Sequence, residues 1–133
     1  MDWITWYNSL DKPSWTPAPS TIGTIWSILY PIIFLTFLFV MVQCTRGKMP
    51  WLVALPFVLN LAANLIFTPI QVGLRSLTGA AIDIVIVWAT IVWMMVAIWR
   101  YYPIVSLAQV PYLVWVSIAS VLQLTITFWN FGK

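Results

Sequence analysis

The stretch WYNSLDKPSWTPAPSTIGTIWSILY, Trp6 to Tyr30, passes from a turn-rich polar segment directly into an apolar run. Lys12, Pro13, Pro17 and Pro19 punctuate its first half, and beyond Lys12 no charge appears until Arg46. Three tryptophans, Trp6, Trp15 and Trp26, surround the boundary. Tryptophan in such a place has two uses. It anchors a span at the membrane interface, or it supplies the lid and wall of a site for something flat and aromatic.

The rest of the chain places that boundary in a membrane. Of 133 residues 62% are hydrophobic and 7% charged, with a mean hydropathy of +0.96. A soluble domain carries roughly 25% charged residues. The net charge of +3 comes from six basic and three acidic residues, too few for a nucleic-acid footprint. One cysteine, Cys44, and no histidine leave neither an internal disulfide nor a metal cluster to expect. The opening residues lack the basic and apolar regions of a secretory signal.

Charge-free windows count the spans. They run from Lys12 to Arg46, from Lys48 to Arg75, from Ser76 to Trp99 with Asp83 inside, and from Tyr101 to Gly132. Each holds one helix of about 20 apolar residues, the number that crosses the hydrocarbon core. The expectation is an all-α integral membrane protein with four transmembrane helices, about 21–44, 50–71, 79–100 and 104–130. A Trp/Pro-rich, lid-like surface loop, 1–20, precedes them in a single domain, 1–133. The turns RGKMP (46–50) and RYYP (100–103) separate spans, their prolines opening the helices that follow. Lys12, Arg75 and Lys133 fall on one side of the bilayer and Arg46, Lys48 and Arg100 on the other, so the positive-inside rule assigns no orientation.

Helical spacing groups the candidate site residues. Ile22, Trp26 and Tyr30 form a stripe on the first helix, with Gly23 beside it, where an approaching group reaches the backbone. Trp115, Ala119, Leu122 and Gln123 share a face of the fourth. Two helices that each offer an indole beside a small residue make a slot for a planar aromatic ligand. Lipid-facing anchorage is the competing use, and it fits Trp3, Trp6, Trp51, Trp99 and Trp129 near span ends. Asn60, Asn64, Phe67 and Gln71 line a face of the second helix that should point into the bundle, either joining helices or touching a ligand. Asp83, in the first turn of the third helix, reads as a cap or a partner of Arg75, with a proton relay as the sharper alternative. Without histidine no ordinary nucleophile–base pair can be assembled, and no glycine-rich phosphate loop is present.

These residues resemble the TspO/MBR family of tryptophan-rich sensory proteins, whose animal members are called translocator proteins. The opening stretch is similar to that family's W-Y-x-x-L-x-K-P-x-W-x-P-P loop and the V/I-W-x-x-L-Y that follows. LNLAANLIF keeps Asn60, GAAIDIVIV keeps Asp83, VPYLVWVSIASVL keeps Pro111, Tyr112, Trp115 and Ala119, and FWN keeps Asn130. The resemblance implies an intramembrane pocket that binds porphyrins, especially protoporphyrin IX, closed by the Trp6–Pro19 segment as a lid. Its ligand-binding set here would be Trp6, Trp15, Ile22, Gly23, Trp26, Tyr30, Asn60, Trp115, Ala119, Leu122 and Gln123. Light-dependent porphyrin degradation is known for bacterial relatives, and Trp26 and Trp115 would carry it. No cofactor is required, and the porphyrin is the ligand. Lys12 and Arg75 are geometric guesses for partners of its propionates.

The chain also departs from the family pattern. The resemblance implies five spans with one before the W-Y loop, so these four would match the second to fifth. Lipid, repacking or a second protomer, as a homodimer, would then cover the first span's side. TPIQV lengthens the turn after the second helix, Gly79 or a neighbour stands where a Trp is usual, and Leu122–Gln123 replaces L-N. The animal sterol motif lacks its Tyr in VLQLTITFWNFGK, which argues against sterol recognition. The leading expectation is a porphyrin sensor, carrier or handler in a bacterial membrane. A small four-helix proton-coupled exporter and a purely structural membrane protein are the alternatives.

Overall fold

A computed structural model describes residues 3–130. It contains α1 (Trp3–Asn8), α2 (Pro19–Thr45), α3 (Trp51–Thr68), α4 (Leu77–Trp99), α5 (Pro103–Ala108) and α6 (Val110–Trp129). A π-helical turn, Pro69–Gly73, continues α3. Among the described residues, four stretches are long and apolar enough to cross a membrane: α2, α3 with its π turn, α4, and α5 with α6. The protein is an all-α, multi-pass membrane bundle. The 1–20 segment is not all loop, since α1 makes a short helix there.

Local chemistry explains where the helices stop. Gly47 takes a left-handed φ of 75°, and the Lys48 amide then reaches back to the Gln43 carbonyl at 2.9 Å, the C-terminal closure that glycine permits. Ser76 caps α4, its Oγ accepting from the Gly79 amide at 3.0 Å. The helix therefore begins two residues before the sequence-based boundary, and Asp83 lies in its second turn, not its first. It does not cap. Pro69 and Pro111 do more than kink. Proline lacks the amide that an α-helix uses, and after Pro69 the chain widens so that the Leu74 amide bonds to the Pro69 carbonyl at 3.0 Å. Pro111 likewise excludes the regular turn before it, so the single helix expected at 104–130 is broken at Gln109.

The core lies where α3, α4 and α6 meet. Val87, Ile91, Ile98, Tyr112 and Val116 are at most 1% exposed. Lipid tails are as apolar as leucine, so this seam is held by close packing and interhelical hydrogen bonds rather than by escape from water. Asn60 Nδ2 donates to Thr90 Oγ1 at 3.0 Å and to the Val87 carbonyl at 3.2 Å. The Tyr112 hydroxyl donates to Asn60 Oδ1 at 3.1 Å and accepts from Asn64 Nδ2 at 2.6 Å. By contrast, only 17% of the apolar stretch of α2 is buried, against 44% for α4. α2 is the least buried of the four spans.

Candidate functional site

The inner face of α2 does not close against its neighbours. Its Ile22–Trp26–Tyr30 stripe borders a cleft with two lobes that share Ile22, Trp26, Phe67, Gln71 and Ile84. One lobe, about 270 Å³, lies toward α3 and is lined also by Tyr30, Asn64 and Val87. The other, about 220 Å³, lies toward α6 and is lined also by Tyr7, Gly23, Trp115, Ala119, Leu122 and Gln123. Each alone falls below the roughly 300–1,000 Å³ of ordinary ligand sites, while together they reach that range. Trp26 divides them. Its ring stacks on Tyr30 at 5.2 Å and meets the edge of Tyr112 at 6.3 Å, which fixes the indole between cleft and core.

The lining is apolar with a few fixed polar groups. The π turn places Gln71 opposite α6, where its Nε2 donates to Gln123 Oε1 at 2.8 Å. Gln123 Nε2 in turn donates to Thr127 Oγ1 at 3.1 Å. Trp115 is 8% exposed, and its Nε1 has no hydrogen-bond partner. A buried indole N–H usually finds an acceptor, and this one has none among the described residues. No atom lies within 4 Å of where a Cβ would sit on Gly23, so the cleft reaches the backbone there. Gly79 has no such room, because a Cβ would stand 2.9 Å from Ser76 Oγ and 3.0 Å from Ile70 Cγ2. A larger side chain there would have to displace Ser76 and Ile70.

The segment before α2 covers the α6 lobe. Tyr7 of α1 packs on Leu122 and Ile126, and burial raises its phenol above the ordinary value. Lys12 Nζ donates to the Tyr7 carbonyl at 2.7 Å and sits 4.8 Å from its ring centre, a cation–π distance. Asn130, just past α6, clasps the loop: its Oδ1 accepts from the Asp11 amide at 3.0 Å, and its Nδ2 donates to the Asp11 carbonyl at 2.8 Å. The same Nδ2 donates to the Ile126 carbonyl at 2.8 Å, which ties the clasp to the helix end.

Of the sequence-derived set, Ile22, Gly23, Trp26, Tyr30, Trp115, Ala119, Leu122 and Gln123 lie together on the cleft. Asn60 does not. Its amide is spent on Thr90, Val87 and Tyr112, so it joins helices. Trp6 packs partly buried beside Tyr7, and Trp15 is 50% exposed, so neither lines the lobes. Lys12 and Arg75 stand outside the lining at the lid end, Arg75 in an exposed turn with φ of 51°. Asp83 is buried off the cleft, and its Oδ2 meets no hydrogen-bond partner, so it does not pair there with Arg75. Lys133 lies outside the described residues.

The lining residues outside that set include Tyr7, Asn64, Phe67, Gln71 and Ile84. Helical spacing already put Asn64, Phe67 and Gln71 on an inward face. For Tyr7 no periodic signal existed, because a six-residue helix is under two turns long.

Comparison with known proteins shows the family. The TspO/MBR family pattern matches residues 1–129. The uncharacterized membrane protein YtaB of Bacillus subtilis is 32% identical over 127 residues, 94% of this chain and 80% of that protein. The tryptophan-rich protein TspO of Bacillus cereus is 31% identical over 122 residues, 92% of this chain and 78% of that one. The translocator protein of Sus scrofa is 28% identical over 133 residues, 98% of this chain and 78% of the animal protein. With its span pattern, tryptophan-bordered cleft and lid segment, the chain belongs to the TspO/MBR family of integral membrane proteins.

Proposed function

We propose that the protein is a membrane sensor or carrier of the tryptophan-rich sensory kind that binds a porphyrin, such as protoporphyrin IX, in the cleft on either side of Trp26. The names of its relatives, tryptophan-rich sensory protein and translocator protein, support the general role. One observation carries the ligand class: two aromatic-walled lobes meet at Trp26, and the buried Trp115 beside them has an indole N–H without an acceptor. A planar macrocycle offers π faces to the indoles and aliphatic edges to Ile22, Ile84 and Leu122. Its carboxylates would emerge at the lid end, where Lys12 supplies a positive charge once it releases its two backbone carbonyls.

Titrating protoporphyrin IX against tryptophan fluorescence tests this. Saturable quenching that exceeds an empty-micelle control is expected, and equal quenching in both would overturn it. Because Trp26 and Trp115 both border the lobes, a bound porphyrin excited by light in air has two oxidisable indoles beside it. Bleaching of the porphyrin that slows in a Trp26→Phe, Trp115→Phe double variant would identify that activity, and unchanged bleaching would assign it to the ligand alone. A homodimer covering the lipid-facing flank of α2 belongs to the same proposal. Crosslinking in native-like bilayers that yields only monomer would remove it.

A further inference from the structure

The bundle end opposite the lid carries a second concavity. A groove of about 350 Å³ between the start of α3 and the end of α4 is lined by Pro50, Leu52, Val53, Trp93, Val96 and Arg100, with Tyr101 beside them. Leu52 and Val96 are 72% and 71% exposed, Trp93 is 43% exposed, and Val53 forms the buried floor. On a membrane span, side chains so exposed meet lipid, and Trp93 and Tyr101 are of the residue types that settle at headgroup depth. The Arg100 guanidinium forms no hydrogen bond or ion pair among the described residues, its backbone amide alone bonding to the Ile98 carbonyl.

Charge distinguishes this end. Arg46 and Lys48 in the α2–α3 turn join Arg100 there. The Tyr102 hydroxyl donates to Gln43 Oε1 at 3.3 Å, and its ring meets Phe39 at 5.0 Å, which draws the two turns together. The chain has three acidic residues. Asp11 belongs to the lid segment and Asp83 to the lid-side part of α4, while Asp2 lies outside the described residues. Among the described residues, then, this end is basic without compensation.

We propose that the groove holds one anionic glycerophospholipid, its phosphate against Arg100 and an acyl chain along Leu52, Trp93 and Val96. An apolar trough ending in a guanidinium matches that amphiphile better than a zwitterionic lipid, whose choline would meet three positive side chains. A bidentate guanidinium–phosphate contact sets the headgroup, and the indole and aliphatic groups order the chain.

The test uses the whole protein in phosphatidylcholine vesicles doped with phosphatidylglycerol, either lipid carrying brominated chains that quench nearby indoles. The Trp93 signal is the difference between wild type and Trp93→Phe. An about fivefold preference for the brominated anionic lipid is expected, the factor that one basic side chain at a charged surface supplies. Arg100→Gln should bring the preference close to parity, and Arg100→Lys should keep much of it. Arg100 is exposed, so these variants keep the fold, as unchanged helix content would show. Equal quenching by both lipids in the wild type, or a preference that survives Arg100→Gln, would overturn the proposal. So would a Trp93 shielded from both lipids, which would show a second copy seated in the groove.

Discussion

Along α3 the same inward face serves two different ends. Near its middle, Asn60 and Asn64 meet Tyr112 and Thr90, donors and acceptors answer one another, and the space beside Asn60 is only about 10 Å³. Toward the lid, Phe67 and Gln71 border a cleft of hundreds of cubic ångströms whose buried Trp115 Nε1 has no partner. The first region spends Asn60, Asn64, Tyr112 and Thr90 on structure, and the second leaves an indole N–H unspent. Unfilled space forfeits dispersion contacts, so a cleft persists only where something spans it. Here the Gln71–Gln123 bridge and the Asn130 clasp do so. Trp26 touches both regions, which makes it the side chain through which filling one would be felt by the other.

The comparison breaks most easily at Tyr112. Tyr112→Ala should cost about 3–5 kcal/mol, the usual penalty for deleting a buried aromatic ring, seen as a large fall in the melting temperature in detergent. Tyr112→Phe removes only the hydroxyl bonds and should cost about 1 kcal/mol. If the two variants melt together, the middle of α3 is not the structural region described. Asn130→Ala comes next. It deletes two bonds to Asp11, worth about 1–3 kcal/mol of lid closure. Amide exchange at Asp11 should accelerate about tenfold or more while the α4 core stays protected; no change would show that the lid is held elsewhere.

Smaller effects sharpen the other side. Trp26→Phe and Trp115→Phe should each weaken protoporphyrin IX binding by about two- to tenfold, the value of one stacking surface. Weakening by neither would move the ligand out of the cleft. Gly23→Ala should be the mildest, because its methyl enters open space and helix propensity improves by about 0.5–1 kcal/mol. A lowered melting temperature would mean that α2 packs more closely there than described. Gly23→Leu, filling the same space, should compete with the porphyrin and leave stability near that of Gly23→Ala.

How much of this was legible beforehand depends on what decides each feature. Four windows with at most one charge each determined four spans, since a membrane forces every backbone group into a helix and leaves length as the only variable. Helical spacing likewise placed Ile22, Trp26 and Tyr30 on one face and Trp115, Ala119 and Leu122 on another. Spacing cannot tell which faces meet or what an amide does when it arrives. Asn60 and Asn64 lie one turn apart on the same stripe, yet Asn60 is consumed by Thr90, Val87 and Tyr112 while Asn64 reaches the cleft. The π turn after Pro69 that aims Gln71 at Gln123, the break at Gln109 and the inward turn of Tyr7 depend on partners far along the chain. Sequence by itself determined the spans and their faces, because periodicity is local. Only the tertiary structure decided which polar groups are answered and which are left open, because that depends on what each one meets across the bundle.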